Sequence, residues 1–175
     1  ASVSKFQTDI DFENVTPRQR ALYRGLMCLV LADGARDFHT GKKMTSALIK
    51  SESVDDHHIF PLGFLGEHNR RAPNPKFDNI LNRTLIDATT NRVIGANGPA
   101  AYLGTIDMEQ GPAQVNKTLE SHGIDAAGVG ALREERFDDF KTSRRKYLLA
   151  RIASVTGVAQ PDPSDYQVPD LENAV

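Results

Sequence analysis

Hydrophobic residues recur at helical spacing near the start of the chain, from Thr16 to about Asp33. Thr16 is a good helix cap, Pro17 suits the first helical position, and Gly34 ends the pattern. The apolar positions of this stretch are Leu22, Leu26, Leu29 and Val30, with Met27, Cys28 and Leu31 around them. This density of apolar positions predicts a mostly buried helix that serves as core scaffold.

Two shorter runs in the middle of the chain predict β-strands on either side of a long loop. The first run contains the adjacent pair His57 and His58, and the second extends from Arg83 to Ile86. The loop, from Phe60 to Leu81, is rich in Gly, Pro and Asn, and ordered loops of this length are usually functional. Asp87 is a natural N-cap for a helix that starts directly after it. The order is therefore strand, loop, strand, helix.

Helical patterns dominate the remainder of the chain. Helices are predicted from Pro99 to about Gln110 and from Pro112 to about His122, because each pattern begins at a proline and ends at a glycine. A last helix is predicted from about Ala131 to Thr156, with Arg144 on the same stripe as its apolar residues. The whole pattern predicts an α+β fold that is predominantly helical.

A chain of 175 residues can bury one sizeable core, so one domain is expected at residues 16–158. Residues 1–15 are polar and irregular, and they are expected to be an entry arm or linker from a missing N-terminal domain, since the chain starts without Met. Residues 159–175 are expected to form an acidic, loosely ordered tail.

The composition of the chain argues against several classes of protein. With 21 Lys and Arg against 23 Asp and Glu, the net charge is −2, which argues against a general nucleic-acid coat and leaves binding to local patches. Cys28 is the single cysteine, so a disulfide framework is excluded and a cytoplasmic location is expected. The longest apolar run, Leu26 to Ala32, is too short to cross a bilayer, so no membrane partner is expected.

Four polar residues of the strand, loop, strand, helix segment carry the candidate chemistry: His57, His58, Asn82 and Asn91. Adjacent side chains of a strand point to opposite faces, so one histidine can face a metal ion while the other faces a water. Asn82 precedes the second strand, and Asn91 lies just past the first turn of the following helix. This arrangement resembles the HNH, or ββα-metal, nuclease motif.

The resemblance implies a role for each of the four residues. In that family the residue before the central His binds a divalent cation and the His is the general base, which makes His57 a metal ligand and His58 the base. An Asn at the start of the second strand braces the loop, here Asn82. A His or Asn on the following helix completes the metal site, here Asn91. Many members have Asp in place of His57 and His in place of Asn91.

The wider resemblance is to the C-terminal nuclease domains of GmrSD-like restriction enzymes and related phage-defence effectors. Its carriers are G-A-R-D-F-H-T-G-K-K from Gly34, H-H-I-F-P from His57, N-R-T-L-I from Asn82, T-N-R-V-I-G from Thr90 and F-x-x-F-x-x-x-R from Phe137. It implies a ββα-metal core of two short antiparallel strands plus a helix, surrounded by additional helices. It also implies a fused N-terminal nucleotide-hydrolysing or sensor domain.

Six basic residues are candidates for contact with nucleic acid: Arg70, Arg71, Lys76, Arg83, Arg92 and Arg144. The first three lie in the long loop, the next two follow Asn82 and Asn91, and the last matches the late Arg of the family. One divalent ion is expected, Mg²⁺ or Mn²⁺ first, with Ni²⁺ or Zn²⁺ as alternatives because an imidazole ligand suits later metals.

Three functions are compatible with these residues. The first is a metal-dependent DNA endonuclease or nickase, the effector of a restriction or antiphage system. The second is an RNA-cleaving toxin built on the same motif, and the third is a nonenzymatic nucleic-acid-binding module with a degenerate nuclease fold. An intact base, brace and ligand set argues against the third, and only the resemblance favours DNA over RNA. One motif provides one cutting centre, so nicking is the simpler product, and oligomerisation is left open.

Overall fold

The computed structural model describes residues 10–50, 53–69 and 71–159, apart from the side chain of residue 50. These residues form an α+β fold that is mostly helical, which confirms the predicted class. The helices are α1 (Arg20–Leu31), α2 (Ser46–Lys50), α3 (Ala88–Ile94), α4 (Pro99–Gln110), α5 (Pro112–Glu120), α6 (Ala126–Arg133) and α7 (Phe137–Thr156). The strands are β1 (Val54–His58) and β2 (Arg83–Asp87), and short 3-10 turns occur at Phe12–Asn14 and Ile80–Asn82.

The two strands pair antiparallel, with Val54 opposite Asp87 and His58 opposite Arg83. Because side chains alternate along a strand, His57 lies on one face of the sheet with its partner Thr84, and His58 lies on the other face with Arg83. The predicted division of the two histidines between opposite faces is therefore present in the fold.

A hydrophobic cluster covers each face of the sheet. The first cluster includes Phe38, Ile59, Phe60, Ile86, Ile94, Tyr102 and Phe140. The second includes Ile10, Phe12, Val15, Tyr23, Leu26, Ile80, Leu81, Leu148 and Ile152. The sheet is thus held between α1 with the N-terminal segment on one side and the later helices on the other, which fixes the strand ends where the candidate site lies.

Helix α1 begins at Arg20 and not at the predicted Pro17. The Thr16 side chain is used in the preceding turn, where its backbone N and its Oγ1 both donate to Oε1 of Gln19, at 2.9 and 2.8 Å. Gln19 is therefore the residue that precedes the helix, and its carbonyl accepts from the backbone N of Tyr23. The predicted start was wrong because Thr16 caps this turn instead of the helix.

The single helix predicted from Ala131 to Thr156 is wrong, because two helices, α6 and α7, cover this region. Glu135, between them, has a φ of 56°, in the left-handed region that interrupts an α-helix. Helix α6 also starts before the predicted position, at a cap in which Oδ1 of Asp125 accepts from the backbone N of Gly128 at 2.8 Å. The break turns α7 away from α6, so that both pack on the core.

Part of the predicted N-terminal arm belongs to the core, since Phe12 is fully buried and Val15 is 3% exposed. Residues 1–9, and residues 160–175 of the predicted tail, lie outside the described part of the chain. Among the helices that the structure does describe, none has the length and apolar character required to cross a membrane.

Candidate functional site

The ends of the two strands, the long loop and α3 enclose a cleft of about 430 Å³. Its lining comprises His57, His58, Pro61, Leu62, Gly63, Pro73, Arg83, Asn91, Gly95 and Ala96. The fold therefore brings together three of the four polar residues singled out in the sequence. The fourth, Asn82, is fully buried behind the cleft.

His57 and Asn91 meet where β1 packs against α3. Nδ1 of His57 lies 2.7 Å from Oδ1 of Asn91, and Nδ2 of Asn91 donates to Oδ2 of Asp55 at 2.8 Å. The second bond turns the amide so that its oxygen faces the imidazole. Helix α3 is held by its N-cap Asp87, which accepts from the backbone N of Thr89 at 2.7 Å. The strand and the capped helix thus set the distance between the two side chains.

These two side chains are the predicted metal ligands, and their chemistry fits a divalent cation. Burial lowers the pKa of His57 to about 4, so the imidazole is neutral near pH 7, the form that binds metals. Its Nε2 is buried and has no hydrogen-bond partner among the described residues. No group of three or more His, Cys, Asp or Glu side chains within that part of the chain could hold a metal. The donors are therefore one imidazole and one amide oxygen, a sparse set that suits an ion that retains waters.

His58 lies on the other face of the sheet and is joined to a chain of charged groups. Its Nε2 is 3.0 Å from Oδ1 of Asp78. The same oxygen accepts from Nε and NH2 of Arg83, at 2.8 and 2.6 Å. NH1 of Arg83 contacts Oδ1 of Asp56 at 2.9 Å, and the hydroxyl of Tyr23 donates to Oδ2 of Asp56 at 2.7 Å. Arg83 is thus held between two carboxylates at the wall of the cleft, and its predicted contact with phosphate competes with both.

The charged side chains of this network, Asp78, Arg83 and Asp56, stabilise one another. Burial alone would raise the pKa of Asp78, but the hydrogen bond from His58 and the charge of Arg83 hold it below its ordinary value. Burial likewise opposes the charge of Arg83, whereas Asp56 and Asp78 raise its pKa. Asp78 was not among the residues expected from the sequence. It lies 20 positions from His58 in the long loop, so no local spacing connects them.

Asn82 ties the exit of β1 to the end of the long loop. Its Oδ1 accepts from the backbone N of Phe60 at 2.8 Å, and its Nδ2 donates to the carbonyls of Phe60 and Phe77, at 3.0 and 2.9 Å. The backbone carbonyl of Asn82 also accepts from the backbone N of Ile59 at 2.9 Å. All three side-chain bonds are to backbone, so Asn82 fixes the course of the chain just after His58.

The six basic residues expected at nucleic acid occupy different environments. Arg71, Lys76 and Arg92 are exposed. Arg92 donates from NH2 to Oγ1 of Thr89 at 3.2 Å, a single surface contact that leaves the guanidinium accessible. Arg70 lies outside the described residues. The exposed three are therefore available to phosphate, unlike Arg83.

Arg144 is fully buried, in contrast to the predicted role at nucleic acid. Its guanidinium donates to four backbone carbonyls. The distances are 3.3 Å to Leu81, 3.3 Å to Arg83 and 3.1 Å to Gly123, and the fourth acceptor is His122. Burial lowers its pKa to about 10, so it remains charged at neutral pH. The side chain therefore joins α7 to the start of β2 and to the end of α5, and it does not face the cleft.

Comparison with known proteins assigns no activity to the chain. No family model matches it, and no solved structure matches it. The chain is 29% identical over 150 residues to an uncharacterized protein of Methanocaldococcus jannaschii. That match covers 74% of this chain and 25% of the archaeal protein, so the chain spans about a quarter of that protein's length.

Proposed function

We propose that this chain is a metal-dependent endonuclease domain of the HNH type, with a ββα-metal core formed by β1, β2 and α3. The observation that carries the proposal is the meeting of His57, His58 and Asn91 in one cleft. There, an imidazole and an amide oxygen lie 2.7 Å apart beside a second imidazole that is hydrogen-bonded to a carboxylate. Acid–base and ligand functions are thus combined at one surface opening.

The reaction that this set supports is hydrolysis of a phosphodiester bond. His58 takes a proton from a water, whose oxygen forms the new bond to phosphorus. The bond from phosphorus to the 3′ oxygen breaks, its electron pair stays on that oxygen, and solvent supplies the proton. His57 and Asn91 would hold a divalent ion, which when bound neutralises phosphate charge and stabilises the departing oxygen. Asn82 keeps the chain beside His58 in place.

DNA is the proposed substrate, on the strength of the resemblance to GmrSD-like nuclease domains. The exposed Arg71, Lys76 and Arg92 supply positive charge for the phosphate backbone. The proposal includes the setting that the resemblance implies: an effector of restriction or antiphage defence that acts together with a nucleotide-hydrolysing or sensor domain.

The test is cleavage of supercoiled plasmid by the chain and by its His58→Ala variant, in EDTA, Mg²⁺ and Mn²⁺, with single-stranded RNA as a parallel substrate. We expect metal-dependent open circles from the parent and a loss of rate of about 100- to 10,000-fold in the variant, the usual contribution of a general base. The thermal unfolding midpoint should remain close to that of the parent.

His68→Ala is the matched control, because His68 is an exposed histidine in the long loop that follows β1. It should cut as the parent does. Undiminished cutting by His58→Ala, or a loss of stability that accounts for its loss of activity, would contradict the proposal. Cleavage of RNA alone would favour the toxin function, and binding without cleavage in every metal would favour a nucleic-acid-binding module.

A further inference from the structure

Asp78 occupies a rigid position next to the proposed base. Its backbone N donates to the carbonyl of Asn74 at 3.0 Å. Asn79, directly after it, caps the short 3-10 turn by accepting from the backbone N of Leu81 at 3.0 Å, and it also donates to the carbonyl of Pro75. The preceding carbonyl, of Phe77, is held by Asn82. The backbone around Asp78 is thus fixed on both sides.

The sheet register brings the partners of Asp78 together. His58 and Arg83 are directly opposite each other, so their side chains share one face and both reach Oδ1 of Asp78. Arg83 is also bound to Asp56 on its other side, at 2.9 Å. The His58 hydrogen bond and the charge of Arg83 outweigh burial and keep Asp78 ionised, and an ionised carboxylate can only accept hydrogen bonds.

An acceptor at Nε2 determines where the hydrogen of a neutral imidazole lies. The ring must place its hydrogen on Nε2 to donate to Asp78, which leaves Nδ1 with the lone pair. Nδ1 makes no hydrogen bond to a described residue, and His58 lines the cleft. The same logic applies wherever a buried carboxylate holds a catalytic imidazole in one tautomer.

We propose that Asp78 is the positioning residue for His58: it holds the Nε2–H tautomer and the ring angle, so that Nδ1 is the atom that accepts the proton of water. This inference rests on the proposed function for its catalytic part. The tautomer itself is a property of the free protein and is measured without substrate or metal.

The first measurement is the nitrogen NMR spectrum of ¹⁵N-histidine-labelled protein at mildly alkaline pH, with His58 assigned by its loss in His58→Ala. The parent should show His58 with the hydrogen on Nε2. In Asp78→Ala the two tautomers should mix. Asp125→Ala is the control, because Asp125 caps α6 and bonds Ser143 far along the chain. It should lose stability and leave the His58 tautomer unchanged.

The second measurement is steady-state cleavage of a DNA oligonucleotide. Asp78→Ala should lower kcat by about 10- to 100-fold with little change in KM, as for residues that orient a reacting group. Asp78→Asn, which keeps the shape and a neutral acceptor, should recover part of the loss. It also replaces the alanine variant if the cavity and the lost acceptor prevent Asp78→Ala from folding.

The outcomes separate the two proposals. A parent with its hydrogen on Nδ1, or an unchanged tautomer in Asp78→Ala, would overturn the role of Asp78 whether or not the protein cuts DNA. A mixed tautomer with unchanged kcat would overturn it as well. A parent that cleaves no nucleic acid would overturn the proposed function, while the spectra would still decide whether Asp78 sets the tautomer.

Discussion

His57 and Asn91 are hydrogen-bond partners through Nδ1 and Oδ1, and we expect these two atoms to be the ones that bind the cation. When Nδ1 of His57 donates to Oδ1 of Asn91, a cation and the ring hydrogen compete for Nδ1. Nε2 has no partner among the described residues, so the hydrogen can transfer there without breaking another bond. Asp55 keeps the amide oxygen facing the ring throughout. Asp55 thus orients the proposed ligand Asn91 without itself having to bind the ion.

Asn91→Ala tests the ligand assignment. The variant removes one of two protein donors, so the Mn²⁺ concentration for half-maximal cleavage should rise at least about tenfold, which corresponds to about 1.4 kcal/mol of binding free energy. Isothermal titration with Mn²⁺ should show the same weakening in the absence of DNA. Asn97→Ala, an exposed Asn just after α3, is the control and should titrate as the parent. An unchanged titration of Asn91→Ala would exclude Asn91 as a ligand.

Helix α7 connects the two hydrophobic clusters, and its basic residues serve that connection. Phe140 packs in one cluster and Leu148 in the other, with Arg144 between them. Lys141 pairs with Glu13 at 3.1 Å, and Arg151 with Asp33 at 3.2 Å. These basic groups thus bind partners within the protein.

Arg144→Met therefore should affect stability and not DNA affinity. Removal of the guanidinium takes the donor from four buried carbonyls in two segments, and we expect a loss of about 3 kcal/mol in the free energy of unfolding, measured in urea. DNA affinity of the folded variant should equal that of the parent. Arg71→Ala should do the reverse, with unchanged stability and weaker, less salt-dependent binding. A stable Arg144→Met that fails to bind DNA would restore the nucleic-acid role.

The elements that could be predicted from the sequence are those with local signals. The strand from Arg83, the cap at Asp87 and the helix Pro99–Gln110 follow from caps, prolines and alternation, all of which act within a few residues. The same signals placed Asn91 on the helix beside β1.

The features that could not be predicted depend on contacts between residues distant in sequence, or on a backbone conformation that the residue type does not indicate. Glu135 is an ordinary helix former, and its left-handed conformation ends α6 without a Gly or Pro. The pairing of Asp78 with His58 arises only when the loop folds back on the strand. An Arg on an apolar stripe is compatible with solvent, with a ligand or with buried carbonyls, and only the packing around Arg144 selects the last.

At the scale of the whole molecule, His122 joins three distant segments behind the site. It is fully buried, its Nδ1 accepts from Oγ1 of Thr84 on β2 at 2.6 Å, and its Nε2 donates to the carbonyl of Arg36 at 2.5 Å. Both ring nitrogens are used by the neutral imidazole, so a second proton would place a charge in the core and force the Thr84 hydroxyl to accept where it now donates. The fold is therefore built around an uncharged histidine.

This arrangement predicts a loss of stability in acid. Burial lowers the pKa of His122 from 6.5 to about 4, with the charge of Arg144 acting in the same direction and the Arg36 carbonyl and Asp37 opposing it. Between about pH 6.5 and pH 4, His122 binds a proton in the unfolded chain but not in the folded chain. The contribution of His122 to stability is therefore complete above about pH 6.5 and is lost as the pH falls towards 4. The loss attributable to this residue is at most about 3 kcal/mol.

Urea unfolding across this range should give a shallower pH dependence for His122→Gln than for the parent. His57, which burial also keeps neutral, contributes equally to both proteins and cancels. His68→Gln, at an exposed site, should keep the parental slope, and equal slopes for all three proteins would show that His122 is not what acid disrupts.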